Sequence, residues 1–245
     1  MKEHIDTMPI WEAYRLDCEC PLCEIHLKNE AIYVDSYLGA SVMEPDTRIE
    51  VNKRGFCHKH YDMMFNAGNR LSLALITHTY MKDTMALVEA AASNPPQKGG
   101  LFKKPAPPSD ERAKAAIASC TICERLDYTM SRYIYTMLCM YNDEQAFRDA
   151  FAASKGLCLP HYFQVMEMAP KHLHGKRLAE FQETLVRIER ENLKRVEGEL
   201  EWFTQKFDYR NQSKPWGNSQ DAVERSINKL RGKCIGEPML IKPEN

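Results

Sequence analysis

Two four-residue sets in this chain have the spacing of metal ligands. Cys20-Pro-Leu-Cys23 is a C-x2-C pair, and Cys57-His58-Lys59-His60 follows 33 residues later as a C-x2-H pair. Cys120-Thr-Ile-Cys123 and Cys158-Leu-Pro-His161 repeat the arrangement with 34 residues between the pairs. Two intervening residues let both side chains reach one ion from a single turn of backbone, and Cys3His is a usual closed set for tetrahedral zinc. Gly55 and Gly156 stand two residues before Cys57 and Cys158, where glycine permits a tight bend into a helix. The cysteine then meets a first helical turn, whose free N–H groups favour a thiolate. The histidine three residues on shares its face. The expected sites are Cys20/Cys23/Cys57/His60 and Cys120/Cys123/Cys158/His161, with two zinc ions per chain. Three thiolates and an imidazole also suit an iron–sulfur cluster, to which Cys18 would add a thiolate. A thioredoxin-like pair wants a βαβ context that the chain lacks, and it leaves the C-x2-H pairs without a role.

The ligands sit inside a longer internal repeat. Cys20 and Cys120 are offset by 100 residues, Cys57 and Cys158 by 101. Glu24 matches Glu124, Arg54-Gly-Phe56 matches Lys155-Gly-Leu157, and Tyr61 matches Tyr162. This predicts a first metal-binding repeat over 1–92 and a second over 111–208. Residues 93–110, rich in proline and glycine, read as a linker, and 209–245 as a loop, a short helix and a loose tail. Strand signals are poor. Helical periodicity recurs: Leu71, Leu75, His78, Met81/Met85 and Val88 mark one face, and Leu178, Phe181, Leu185, Ile188, Val196, Leu200, Phe203 and Phe207 another. Shorter helices are expected over 8–17, 24–41, 58–67, 111–119, 124–141, 143–154 and 159–168, and one from Ser219 to Leu230. The expected fold class is all-α, a helical bundle of two pseudo-repeats, each organised around a Cys3His metal site.

The repeat also sorts the other candidates. Cys18 corresponds to Ala118 and falls outside the shared ligand set, and His58 corresponds to Leu159 and reads as a surface residue. Cys139 reads as core and Cys234 as incidental, while His26, His78, His172 and His174 have no partner spacing. The repeats differ most before the second ligand pair. There the first carries Met43-Glu-Pro-Asp-Thr-Arg-Ile-Glu-Val-Asn-Lys-Arg54, and the second a plain amphipathic helix. Asp46, Arg48 and Asn52 are thus a candidate polar ligand site, with a solvated loop in which Asp46 caps a short helix as the bland alternative. Phe207-Asp-Tyr-Arg-Asn211 with Pro215-Trp216 is expected to pack back over the bundle.

A net charge of −1 recruits neither nucleic acid nor an anionic membrane. No run reaches the 18 or so apolar residues of a membrane span, and the N-terminus lacks a secretory h-region. A cytoplasmic location is expected. Nine cysteines, an odd number without an export signal, argue against a disulfide framework. No phosphate loop, nucleophile elbow or H-E-x-x-H is present.

Cys18-Glu-Cys-Pro-Leu-Cys23, Arg48-Ile-Glu-Val-Asn-Lys-Arg-Gly-Phe-Cys57 with His60, Gly156-Leu-Cys-Leu-Pro-His161, Glu201-Trp-Phe and Lys206-Phe-Asp-Tyr-Arg-Asn211 together resemble the domain-of-unknown-function family 6062. The resemblance covers nearly the whole chain and implies a cytosolic bacterial protein, of anaerobic Firmicutes, without supplying an activity. A closed four-ligand site leaves no position for substrate. The expected function is accordingly a zinc-stabilised binding or regulatory protein rather than an enzyme, its partner an unknown protein or small polar ligand. The rival is a redox protein or enzyme that uses an iron–sulfur cluster, or Cys18 as a nucleophile.

Overall fold

The computed structural model describes residues 7–93 and 109–236, with the backbone alone at 109, 110, 112 and 113. Most of the expected linker, 94–108, and the tail beyond 236 lie outside the described residues. Among those described there is no strand, and eleven α-helices carry the fold. They are α1 (Thr7–Tyr14), α2 (Pro21–Leu38), α3 (Pro45–Arg54), α4 (His58–Asn66), α5 (Arg70–Ser93), α6 (Ser109–Ala118), α7 (Thr121–Asp143), α8 (Gln145–Ala153), α9 (Leu159–His172), α10 (Gly175–Gln205) and α11 (Ala222–Arg231). The protein is all-α, and no described helix is long and apolar enough to cross a membrane.

Two compact units form, and they cross the sequence repeats instead of matching them. Within the described residues, one unit joins 7–27 to 129–236 and the other joins 28–93 to 109–128. The reason lies in α2 and α7. Each starts at a C-x2-C pair and runs on unbroken, so α2 alone carries the chain about 27 Å from its own cysteines. The C-x2-H pair that follows in sequence is delivered to the other unit.

The first unit is built on α10, which buries Phe181, Leu185, Ile188 and Val196 from the periodic row. Phe151 and Phe181 lie 5.2 Å apart between ring centres, and Tyr141 meets Phe181 edge-on at 4.8 Å. The Lys206 ammonium stops α10 by donating to the carbonyls of Asn211, Gln212 and Lys214. Trp216 packs on Phe203, folding that segment back. Phe207 and Tyr209 point outward instead.

In the second unit Tyr37, Val51, Phe56, Met64, Ile76, Ile122 and Leu126 share one core. Residues 45–54 form a regular helix, α3, with Pro45 at its start, the counterpart of α8 in the second repeat. The row Leu71, Met81, Met85 and Val88 is exposed, because α5 buries Leu73 and Ile76 on the face that packs against α3 and α6. Beside that row a groove of about 640 Å³ runs past Tyr61, Tyr80, Met81, Met85 and Val88.

Candidate metal centres

All four ligand pairs are placed by the same local device. Cys57 and Cys158 are the extended N-cap residues of α4 and α9, so His60 and His161 fall in the first helical turn. Cys20 and Cys120 directly precede α2 and α7, putting Cys23 and Cys123 in theirs. Gly55 (φ 63°) and Gly156 (φ 79°) take the left-handed backbone that turns the chain into the C-x2-H helices. Each centre is therefore approached by two helix N-termini, whose unpaired N–H groups favour anionic sulfur.

The eight predicted ligands gather into two sets, and the pairs exchange partners. Cys20 and Cys23 meet Cys158 and His161, while Cys57 and His60 meet Cys120 and Cys123, with the four ligand atoms of each set within 4.8 Å of one another. The expected grouping of each C-x2-C with the next C-x2-H is corrected accordingly. In the first centre Cys23 Sγ and Cys158 Sγ are 3.5 Å apart, and His161 Nδ1 lies 3.2 Å from Cys158 and 3.4 Å from Cys20. In the second, Cys57 and Cys123 are 3.8 Å apart, and His60 Nδ1 lies 3.2 Å from both Cys57 and Cys120. Tetrahedral ligands at zinc bond lengths stand about 3.5–3.8 Å from one another, whereas a disulfide needs about 2.05 Å. The donor sets fit a tetrahedral, thiolate-rich ion.

The surroundings of the two centres differ. His60 is buried and its Nε2 is 2.9 Å from Glu30 Oε1; the Glu30 side chain is only 2% exposed and also takes the Lys59 ammonium at 2.9 Å. Burial pulls the His60 imidazolium down, but the hydrogen bonds it donates to Cys120 and Glu30 outweigh that and lift the group to about 9. Burial works against the Cys120 thiolate too, yet His60 and the N–H groups of Cys123 and Cys57 bring it down to about 6. His161 lacks a carboxylate partner among the described residues, and the His26 ring is 6.2 Å away. Burial and His26 push it down to about 4. The thiols around it go the other way: burial raises Cys20, and contact with Cys158 raises Cys23 to about 12.

The loops bearing the ligands are also tied differently. At the second centre the Gly55 carbonyl accepts from the Thr121 N–H (3.0 Å) and hydroxyl (3.1 Å), and Arg54 pairs with Glu124 at 2.6 Å. At the first, position 21 is proline and has neither group to donate. There Lys229 of α11, 1% exposed, donates to the carbonyls of Lys155 (2.7 Å) and Glu19 (3.3 Å) and faces Glu189 at 3.4 Å. Glu189 in turn accepts from the Leu157 N–H at 2.9 Å. The Lys233 N–H points at Cys23 Sγ, 3.4 Å away.

Cys18 stays outside the ligand set, half-buried beside a cavity of about 250 Å³ that Cys20 and Cys23 also line. Cys139 is half-buried, and Cys234 and His58 are exposed. Of the candidate polar residues, Arg48 and Asn52 lie one turn apart on α3 and are half-buried. Asp46 is exposed, while the Arg48 guanidinium braces the fold through Val42 O, Leu75 O and Thr79 Oγ1. The Asn52 Oδ1 is buried without a partner. Glu30, Glu189 and Lys229 were not singled out from sequence; Glu30 and Glu189 stand among mostly apolar residues at helical spacing, a signal that would have found them, whereas Lys229 stands beside Arg225 and Ser226 and gives none.

These features define an all-helical protein carrying two Cys3His sets at paired helix N-termini. The chain belongs to the family of unknown function DUF6062, whose model matches residues 1–237. No curated protein and no solved structure matches it.

Proposed function

We propose that the chain is a zinc-stabilised helical binding protein in which two closed Cys3His centres hold zinc structurally, one in each unit. The observation that carries this reading is the ligand geometry: three sulfurs and one imidazole nitrogen within 4.8 Å, twice, each drawn from two remote helix starts. Four protein ligands saturate tetrahedral zinc and leave no position for substrate, which favours binding over catalysis. The exposed apolar row on α5 supports a protein partner over a small polar ligand. Nucleic acid is disfavoured by the charge balance, and no catalytic residue is proposed.

Elemental analysis of protein purified without oxygen tests the reading. Two equivalents of zinc in a colourless sample are expected, and chelation should lower both helicity and melting temperature, since binding energy at such sites is folding energy. A brown, reducible chromophore would establish the iron–sulfur alternative, and fully folded protein free of metal would overturn both.

A further inference from the structure

We propose that Glu30 is a positioning residue for the Cys57/His60/Cys120/Cys123 centre, and that the two zincs are unequal, this centre releasing its ion more slowly than the Cys20/Cys23/Cys158/His161 centre. The inference rests on the zinc reading above. In both centres the nitrogen facing the sulfurs is Nδ1. A metal on Nδ1 leaves one ring proton, on Nε2. At His60 that proton points at Glu30 Oε1, 2.9 Å away. A buried carboxylate is costly unless paired, and Glu30, 2% exposed, is paired with this ring and with Lys59. Such a carboxylate fixes the tautomer and the ring's orientation, and resists the rotation by which the ligand would leave.

Among the described residues the other centre has no equivalent. The offset of 100 that matches Cys20 to Cys120 and Glu24 to Glu124 matches Glu30 to Met130. Met130 is buried in the apolar core of its unit. Among the described residues His161 is held by its helix and its sulfurs.

The test is release of zinc from the loaded full-length chain to the chromophoric chelator pyridylazoresorcinol. Two phases of one equivalent each are expected, and Cys158→Ser should remove the fast one. Glu30→Gln keeps the size and removes the charge; it should speed the slow phase on the order of 10–100-fold and leave the fast phase unchanged. The cobalt-loaded protein adds a readout that general loosening would not give, a shift of the ligand-field bands of the second centre alone. If Glu30→Gln loses helicity, Lys59→Met replaces it, with the same phase expected to quicken by a smaller factor. Two bound zincs with a slow phase and cobalt bands indifferent to these substitutions would overturn the positioning role while sparing the zinc reading. A chain that binds no zinc would overturn both.

Discussion

Both centres use three cysteines and one histidine at two helix starts, yet they are secured in different ways. Around Cys57 and Cys120 the ligand loops bond to each other through Thr121 and Gly55, and Glu30 grips the histidine from behind. Around Cys20 and Cys158 the loops are bridged by a third party, the Lys229 ammonium with Glu189, and among the described residues the histidine has no carboxylate. Two of these differences trace to single positions, Thr121 against Pro21 and Glu30 against Met130. The lesson is that two ligand sets of the same type and spacing share their local geometry while the residues supporting them differ.

The largest effects should come from testing the exchanged pairing itself. Cys20→Ser with Cys158→Ser strikes one centre twice and should cost about one zinc equivalent, whereas Cys20→Ser with Cys57→Ser should cost both. Metal-to-protein ratios decide the matter, and the reverse pattern would restore the sequence-adjacent grouping.

The charged bridge comes next. Removing one member of a buried pair strands the other, so Lys229→Met should destabilise the Cys20 unit by about 3–5 kcal/mol. Lys229→Met with Glu189→Leu should recover much of that in denaturant titrations. Equal losses in the single and double variants would mean that the bridge acts only through its backbone contacts.

Glycine substitutions compare the two turns at smaller cost. An alanine at 55 or 156 must adopt a positive φ and push on the Tyr80 ring or the Glu189 carboxylate respectively. Each should lower stability by about 1–3 kcal/mol, readable as a drop in melting temperature with metal content retained.

Smaller still is the proton signature. In the metal-free chain His161 should titrate near 4 and His60 near 9. His161 lies below its unfolded value of about 6.5, so its contribution to metal-free stability is full above that pH and is lost on the way down to 4. His60 lies above, so its contribution is full below about 6.5 and is lost as pH rises through 9. Ring proton NMR would show both, and zinc added at pH 7 should displace a proton from His60 and none from His161. Rings that both titrate near 6.5 would erase the contrast. Cys18→Ala, outside both sets, should leave two zincs in place.

The ligand types, their doubling and the helical class were legible because they depend on local spacing, which a linear sequence displays. Which pair joins which was not. That outcome depends on α2 and α7 running straight past their own cysteines, a matter of helix length rather than of motif. The α5 row misled for a related reason. Periodicity locates an apolar face but does not say whether a neighbour arrives to cover it, and here Leu73 and Ile76 are buried instead, in the core with Val51 of α3 and Met64 of α4. The polar residues 46–54 concealed an ordinary helix because Arg48 spends its charge on backbone carbonyls.

Exchanged pairing also sets an order in time. A chain made from its N-terminus completes the Cys57 centre when Cys123 emerges, but the Cys20 centre waits 38 residues more for His161, and its bridge another 68 for Lys229. At about 5–20 residues per second the first delay lasts about 2–8 s. Throughout it, the C-x2-H pair nearest to Cys20 and Cys23 along the nascent chain is Cys57 and His60, the wrong one. On the zinc reading proposed above, capture of an ion by Cys20, Cys23, Cys57 and His60, a set complete 63 residues before Cys123 emerges, is the misassembly that the exchange of pairs has to undo.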